Sequence, residues 1–348
     1  MIFIDSIYIN SSGGKYLLEY FIQKISEQSN INEYIFLFDN RFVSNKTNLI
    51  PSQNIYYSNS SEFSRYASYK KLFKKYSIRS LFCFSNVPPP FLFNTQCPVF
   101  VYFHNVLLIE SWRTNYSFKL KFLFFLKSVY IYFITSKNVR WIVQTSLVKS
   151  KLSRYFNLDS SKIYELPFFD NSNVEDSEFV RDHLYFYPAE GIPQKNHQLL
   201  INVWEKLSVS GIFPTLVLTI DELKFPEIIK EVNRLKSHNI NIINIGFVSR
   251  EEILHQYRKS KFLIFPSLNE SFGLPLVEAA NLGCHVIAPN LEYVNNVLET
   301  NAKFDTTSTN LFELILDIET NKLQTISPII KIDNKIALLI QLINDTYV

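Results

Sequence analysis

Residues 262–278, FLIFPSLNESFGLPLVE, join two segments with different hydrophobic patterns. The apolar run at residues 262–265 is typical of a strand that is buried on both faces of a sheet. A short polar loop follows, and Pro275 then opens a segment with helical spacing, because proline is favoured at the first helical position. This stretch therefore predicts a strand-loop-helix unit of a parallel α/β sheet.

Two carboxylates and a glycine stand out within this unit. Glu270 lies in the loop and Glu278 eight residues later in the helix, with Gly273, one of only seven glycines in the chain, between them. A glycine lets the backbone approach a ligand closely, and the amides at a helix N-terminus attract phosphate. The plainer alternative is a capping acid, a solvated helix acid and an ordinary turn glycine.

The same alternation of strand and helix extends through the second half of the chain. Strands are predicted at residues 185–187, 215–220, 240–245, 262–265 and 285–288, and helices at residues 197–206, 223–236, 251–259 and 275–282. Alternating strands and helices of this kind form doubly wound parallel sheets. The second half is therefore predicted to be a Rossmann-like domain.

The first half follows a similar pattern. Strands are predicted at residues 2–9, 34–38, 80–84, 99–103 and 141–144, and a helix at residues 15–25. We predict an N-terminal Rossmann-like domain at residues 1–168, a polar linker at 169–178, a C-terminal domain at 179–330 and a final helix at 331–348. That last helix could pack on either domain.

Composition narrows the class of protein. A chain of 348 residues suits two domains, and with 47% hydrophobic and 19% charged residues it is expected to be globular. The net charge of +3 argues against a dedicated nucleic-acid binder. The three cysteines have no metal-ligand spacing, and the chain opens directly on a predicted strand, so a cytoplasmic location is expected.

The segment at 262–278 resembles the Glu-x7-Glu motif of the retaining GT-B glycosyltransferases, known as glycosyltransferase family 4 or glycosyl transferases group 1. The matching residues around the two glutamates are Pro266, Ser267, Phe272, Gly273, Leu274, Pro275 and Ala279. The resemblance implies two Rossmann-like domains facing a cleft. It also implies that Glu270 binds donor-sugar hydroxyls, that Glu278 binds ribose hydroxyls, and that Phe272, Gly273 and Leu274 line the donor site.

Two further segments of the second half bear on the donor. A predicted strand ends in Gly246, Phe247 and Val248, where the resemblance implies contact with the nucleobase, although a strand ending in glycine is not specific. Lys195 precedes a predicted helix start and is suited to neutralising a leaving diphosphate. The family usually has an arginine a few residues earlier, where this chain has Ala189 and Glu190.

In the first half, the sequence Ser-Ser-Gly-Gly-Lys at residues 11–15 follows the first predicted strand and opens a helix. It is neither a complete dinucleotide-binding fingerprint nor a phosphate-binding P-loop, so alone it is a weak signal. The resemblance implies that Gly13 and Gly14 form a loop beside the donor diphosphate and the acceptor. It also implies that His104, at the end of a predicted strand, lies near the reacting sugar.

No Asp-x-Asp pair occurs in the chain, which removes the usual carboxylate pair for a divalent cation, so neither a metal nor another cofactor is expected. Basic residues alternate with aromatic ones between Arg113 and Arg140, the lysines being Lys119, Lys121, Lys127 and Lys137. Such a pattern suits contact with an anionic membrane surface, where a lipid-linked acceptor would be found. Ordinary amphipathic packing of a helix is equally compatible with it.

The resemblance implies metal-independent transfer of a hexosyl unit, with retention, from a nucleotide-diphosphate sugar. The acceptor would be a glycan or lipid-linked oligosaccharide in bacterial surface-polysaccharide synthesis, such as O-antigen or capsule. Two alternatives stay open, a nucleotide-sugar epimerase on the same fold and a catalytically silent nucleotide-sugar-binding partner. A phosphorylase is disfavoured, because no lysine lies in a pyridoxal-binding context.

Overall fold

The computed structural model describes residues 1–91, 93–110, 112, 116–135, 138–171 and 181–345. The chain divides into two compact units. The first comprises Met1–Trp112, Ser117–Phe169 and Asp333–Val348, and the second comprises Arg113–Tyr116 and Asp170–Ile332. From residue 172 onwards the predicted linker lies outside the described residues, as do Arg113 and Lys137 of the basic and aromatic segment.

The first unit is a doubly wound parallel sheet of seven strands in the order β3-β2-β1-β4-β5-β6-β7. Its elements are β1 (Ile2–Ser6), α1 (Ser12–Gln28), β2 (Tyr34–Asp39), β3 (Ile55–Ser58), α2 (Glu62–Lys75), β4 (Ser80–Cys83), β5 (Val99–Tyr102), α3 (Leu107–Glu110), α4 (Phe118–Ile134), β6 (Val139–Val143), α5 (Ser146–Phe156) and β7 (Ile163–Glu165).

The second unit contains a parallel sheet of six strands in the order β10-β9-β8-β11-β12-β14, and β13 pairs with β15. Its elements are β8 (Asp182–Tyr187), α6 (His197–Val209), β9 (Thr215–Leu218), α7 (Pro226–Ser237), β10 (Ile242–Asn244), α8 (Arg250–Lys259), β11 (Ser260–Ile264), α9 (Leu274–Asn281), β12 (His285–Pro289), α10 (Glu292–Val297), β13 (Leu298–Glu299), β14 (Ala302–Phe304), α11 (Ser308–Glu319) and β15 (Ile329–Ile330).

Burial explains why these segments are strands. Every residue of β1 and β2 is buried, as expected for central strands covered by helices on both faces. The final helix, α12 (Ile336–Asn344), belongs to the first unit. Its side chains Ile336, Leu339 and Ile340 join the core that contains α1 and β2, which resolves the choice that its amphipathic sequence left open.

The structure confirms the predicted fold class of two Rossmann-like parallel-sheet domains. The sequence reasoning missed β3, β7 and α2, whose patterns are short or irregular. It also treated Gly13 and Gly14 as a loop. Both glycines lie inside the first turn of α1, which begins at Ser12, because the chain turns into the helix earlier than the apolar pattern suggests.

Among the described residues, no helix combines the length and apolar character that crossing a bilayer requires.

Candidate donor site and the strand ends of the two sheets

Two neighbouring strands of the second sheet bring the donor-site candidates together. Strands β8 and β11 pair in parallel, so the loops that follow them leave the same edge of the sheet. The carbonyl of Gln194 accepts a hydrogen bond from the amide of Leu268 at 2.9 Å. The loop bearing Lys195 and the loop bearing Glu270 are therefore fastened to each other.

Lys195 and Glu270 form an ion pair at this edge. The Nζ of Lys195 lies 2.5 Å from Oε1 of Glu270, and the hydroxyl of Ser267 donates to the same oxygen, also at 2.5 Å. Both charged side chains are largely shielded, with 18% and 14% of their surface exposed. Shielding strengthens the attraction between the two charges, so the pair is a defined feature of the site.

Local backbone geometry places Lys195 at the start of α6. Residues Pro193–Lys195 form a short helical turn, and Asn196 adopts a left-handed conformation with φ 54° before α6 begins. The hydroxyl of Tyr187 donates to the Lys195 carbonyl at 2.8 Å. Burial raises the pKa of Tyr187 well above its usual range, and the Glu270 carboxylate contributes to that rise, so Tyr187 remains a neutral donor.

Glu278 forms the second ion pair, with Arg250. The Nη2 of Arg250 lies 2.5 Å from Oε1 of Glu278, whose side chain is only 6% exposed. The buried hydroxyl of Tyr257 donates to Oε2 at 3.4 Å, and burial together with the Glu278 charge raises the pKa of Tyr257 well above its usual range. A solvated helix acid, the plainer alternative, is excluded by this burial.

Arg250 is the site residue that the sequence reasoning missed. It is the first residue of α8, after Ser249, whose hydroxyl accepts from the amide of Glu252 and caps the helix. The sequence signal was a capping serine followed by a cation, which is common at helix starts. Only the packing of α8 beside Glu278 distinguishes Arg250 from an ordinary surface arginine.

Gly273 is required by its backbone conformation and by its surroundings. Its φ is +80°, and an added Cβ would lie 2.8 Å from Cδ1 of Leu276. It caps α9, with Leu274 as the first helical residue and Phe272 buried on its other side. The structure thus places Phe272, Gly273 and Leu274 between the two glutamates, at a helix N-terminus.

The segment predicted to contact a nucleobase follows β10. Gly246 has a φ of +75°, and no atom lies within 4 Å of where its Cβ would be. Phe247 is 72% exposed, and Nζ of Lys224 lies 5.4 Å from the centre of its ring. Val248 is half-buried. This open surface has room for a planar group, although its role stays a prediction.

In the first unit, His104 follows β5 and contacts α1. A Cβ on Gly14 would lie 3.6 Å from Nε2 of His104, whereas Gly13 faces open space. The side-chain oxygen of Asn86 accepts from the His104 amide at 2.7 Å, and the Asn86 Nδ2 lies 3.3 Å from His104 Nε2. Burial lowers the pKa of His104 to about 4, so its imidazole is neutral near pH 7.

The structure therefore brings the predicted residues into two groups. Lys195 and Glu270 lie in the segments that follow β8 and β11, and Glu278 lies in α9, whereas Gly14 lies in the first turn of α1 and His104 follows β5. Among the described residues, no group of three or more histidine, cysteine, aspartate or glutamate side chains could hold a metal. Metal independence stays a prediction.

The family comparison matches the second of the two units. Residues 170–322 match the family model for Glycosyl transferases group 1. The serotype-specific mannosyltransferase WbdA of Escherichia coli is 26% identical over 156 residues, which cover 42% of this chain and 19% of WbdA. The chain thus matches only about a fifth of the length of this curated relative.

Solved structures show the same fold over nearly the whole chain. WaaG, a glycosyltransferase involved in lipopolysaccharide biosynthesis, has a TM-score of 0.66 at 12% identity, covering 92% of this chain and 90% of WaaG. The Anabaena protein HepE, solved in complex with UDP-glucose, has a TM-score of 0.65 at 14% identity, covering 99% of this chain and 95% of HepE. At such identities the similarity shows a shared architecture.

Proposed function

We propose that this chain, whose residues 170–322 match the glycosyl transferases group 1, is a retaining glycosyltransferase. It would transfer a hexosyl unit from a nucleotide-diphosphate sugar to a hydroxyl of a glycan or lipid-linked acceptor. The observation that carries the proposal is the pair of shielded glutamates, Glu270 and Glu278, each matched to one cation at the strand ends of a single sheet.

Each glutamate is assigned one part of the donor. Glu278 is proposed to accept hydrogen bonds from the ribose hydroxyls, and Glu270 from hydroxyls of the sugar that is transferred. Ionised carboxylates accept such bonds strongly when shielded from water. Arg250 and Lys195 hold the two carboxylates in place before the donor arrives.

The leaving diphosphate requires compensating positive charge. Lys195 is its proposed cation, together with the amides at the start of α9. Glu190 stands where the family's arginine is expected and cannot supply that charge, so Lys195 carries more of the stabilisation in this chain. Gly246, Phe247 and Val248 are proposed to contact the nucleobase.

In the proposed reaction, the acceptor oxygen forms a bond to the anomeric carbon on the face from which the diphosphate departs. The bond between that carbon and the diphosphate oxygen breaks, and the acceptor proton passes to the leaving diphosphate. Glu270 orients the sugar, and neutral His104 supplies a hydrogen bond on the acceptor side. No protein nucleophile and no metal ion take part in this scheme.

Bacterial surface-polysaccharide synthesis is the proposed setting, with the enzyme in the cytoplasm or on the inner face of the cytoplasmic membrane. WbdA is described as a serotype-specific mannosyltransferase, and WaaG as acting in lipopolysaccharide biosynthesis. Both descriptions are consistent with an acceptor of this class.

Thermal stabilisation of the purified protein by UDP, GDP, ADP and CMP, with and without EDTA, tests the donor site. We expect one nucleotide to raise the Tm of the wild type and to do so equally with EDTA. The increase should disappear in Glu278→Ala. Glu292→Ala is a matched control, because Glu292 is an exposed acid at the start of α10.

Three results would contradict the proposal or favour an alternative. If no nucleotide changes the Tm, the donor site is not formed as described. Unchanged nucleotide affinity in Glu278→Ala would remove the role assigned to that residue. Donor binding without transfer or slow donor hydrolysis would favour the silent binding partner, and isomerisation of the donor without acceptor would favour an epimerase.

A further inference from the structure

The guanidinium of Arg181 joins the C-terminal ends of two helices, α8 and α9. Its Nη1 donates to the carbonyl of Tyr257 at 2.8 Å and to that of Ser260 at 3.0 Å, both at the end of α8. Its Nη2 donates to the carbonyl of Leu282, which caps α9. The last carbonyls of a helix lack partners within the helix and carry partial negative charge. One cation therefore binds both helix ends.

The segment after α9 leaves space for this guanidinium. Gly283 follows Leu282 and has a φ of +79°, the left-handed conformation in which many helices end. A Cβ on Gly283 would lie 2.8 Å from Nη2 of Arg181. The thiol of Cys284 donates to the Tyr257 carbonyl at 2.9 Å, and burial raises its pKa to about 12, so it remains protonated. The end of α9 thus packs closely around Arg181.

The two helices that Arg181 joins are the ones that carry the second ion pair. Arg250 is the first residue of α8, and Glu278 lies in the second half of α9. At about 1.5 Å per residue, Arg250 lies only about 10 Å along α8 from Tyr257, and Glu278 about 6 Å along α9 from Leu282. A helix is rigid over such distances. Fixing the two C-terminal ends therefore fixes where the two charged side chains meet.

Tyr257 also connects the guanidinium to Glu278 directly. Its backbone carbonyl accepts from Arg181, and its buried hydroxyl donates to Oε2 of Glu278 at 3.4 Å. Its ring packs against that of Phe186 on β8, with 5.3 Å between the ring centres. A shift of the end of α8 would therefore displace a hydrogen-bond donor to Glu278 together with Arg250.

We propose that Arg181 is a positioning residue for the nucleotide, because it fixes α8 against α9 and so holds Glu278 and Arg250 in the arrangement that receives the ribose. Arg181 directly precedes β8, whereas the loops of the donor site follow β8 and β11. It acts from the opposite end of the sheet and does not contact the donor. This inference rests on the proposed role of Glu278 in nucleotide binding.

A double-mutant cycle without nucleotide tests the coupling within the protein. Urea denaturation is measured for the wild type, Arg181→Met, Arg250→Ala and the double variant. Arg250→Ala leaves a shielded carboxylate without its cation and should lower the urea midpoint. We expect that decrease to be roughly half as large when Arg181 is already replaced, because the ion pair is then already displaced. Equal decreases in both backgrounds would overturn the proposal.

Nucleotide affinity tests the consequence for the site. Isothermal titration well below the Tm uses UDP, GDP, ADP and CMP as probes, and circular dichroism establishes that each variant is folded. Arg181→Met is expected to weaken the binding of the preferred nucleotide about tenfold, because a displaced binding group loses affinity even when it is still present. Arg234→Met is the matched control, because Arg234 lies on α7 and pairs with Glu205. It should bind as the wild type does.

Gly283→Ala displaces the same guanidinium from a different residue. The added Cβ would meet the flexible end of the Arg181 side chain, so we expect affinity to fall here as well. Gly211→Ala is the matched control, since Gly211 has a φ of +77° but no atom within 4 Å of its Cβ position. It adds the backbone strain without displacing a side chain. Wild-type affinity in folded Arg181→Met and Gly283→Ala would show that Arg181 only stabilises the fold.

Comparison with Glu278→Ala separates this inference from the proposed function. If the wild type binds none of the four nucleotides, or if Glu278→Ala binds as the wild type does, the proposed ribose contact is wrong and this inference is wrong with it. If Glu278→Ala loses nucleotide binding and Arg181→Met does not, only this inference is wrong. Loss in both variants, together with coupling in the urea cycle, supports the positioning role.

Discussion

The candidate site residues of the two units differ in charge although the two units share a fold. At the second sheet, four charged side chains form two ion pairs, Lys195 with Glu270 and Arg250 with Glu278. In the first unit, Gly14, Asn86 and a His104 imidazole that is neutral near pH 7 form an uncharged group, while the ion pairs of Asp5 with Arg65 and of Asp39 with Arg41 lie on β1 and β2. We call the two groups of candidate residues the ionic site and the neutral site.

This difference suggests how the two domains would divide the work of the proposed reaction. A nucleotide diphosphate carries negative charge and many hydroxyls, and suits paired cations and carboxylates. An acceptor hydroxyl is uncharged until its proton leaves, and suits neutral hydrogen-bonding groups. The side chains at the strand ends, and not the sheets, therefore decide what each domain binds.

The largest expected effect comes from removing the cation of the ionic site. Lys195→Ala should lower the rate of transfer about 10²- to 10³-fold, because removing one group that stabilises developing charge typically has this cost. His104→Ala, in the neutral site, should have a smaller effect on the rate. Steady-state kinetics with the donor identified by thermal stabilisation would measure both.

Lys206→Ala is a matched control for Lys195→Ala, because Lys206 is an exposed lysine near the end of α6, the helix that Lys195 precedes. It should transfer at the wild-type rate. If Lys195→Ala lowered transfer no more than His104→Ala did, the assignment of phosphate stabilisation to the ionic edge would be wrong.

The two glycines nearest these sites should respond oppositely to alanine. Gly273→Ala should lower the free energy of unfolding by about 1–3 kcal/mol, because alanine at positive φ is strained and its Cβ would meet Leu276. Gly14→Ala should be neutral or raise it by up to about 1 kcal/mol, because Gly14 is helical and its Cβ would make ordinary contacts. Urea denaturation would measure both.

Gly211→Ala separates strain from contact. Gly211 also has a positive φ, +77°, but no atom lies within 4 Å of its Cβ position. It should therefore cost less than Gly273→Ala. Equal losses for the two variants would mean that the contact with Leu276 is relieved by a small movement of that side chain.

A further expected effect concerns pH, and each domain contributes one histidine with a lowered pKa to it. Burial lowers the pKa of His104 to about 4 and that of His197 to about 3. In the unfolded chain both histidines take up protons near pH 6.5. Their contribution to the free energy of unfolding is therefore fully present above pH 6.5 and is lost as the pH falls. The loss is at most about 1.4 kcal/mol per pH unit for each histidine.

His197→Gln should therefore flatten the dependence of Tm on pH between about 6.5 and 3, and His104→Gln should do so between about 6.5 and 4. The exposed His238 provides the control variant His238→Gln. An unchanged slope in His197→Gln would show that this histidine is protonated within the folded protein.

The amino-acid pattern alone was enough to predict the fold class and to single out candidate site residues. Buried parallel strands are continuous apolar runs, and the helices between them are amphipathic. The pattern of residues 262–278 therefore predicts a strand, a loop and a helix without any knowledge of the rest of the fold. The motif likewise singled out Glu270, Glu278 and Gly273, because spacing along the chain is a local property. Short edge strands such as β3, with weaker patterns, escaped notice.

Only the tertiary structure decided which side chains meet across separate elements, because contacts between segments that are distant in the chain leave no local pattern in the sequence. The pairing of Arg250 with Glu278 and the contact of Gly14 with His104 each join separate elements. The side of α4 that faces solvent was equally undetermined, because its sequence is apolar around most of the helix and does not say which side the rest of the protein covers. Packing buries Ser128 and Ile131 and leaves side chains such as Phe118 and Phe133 exposed.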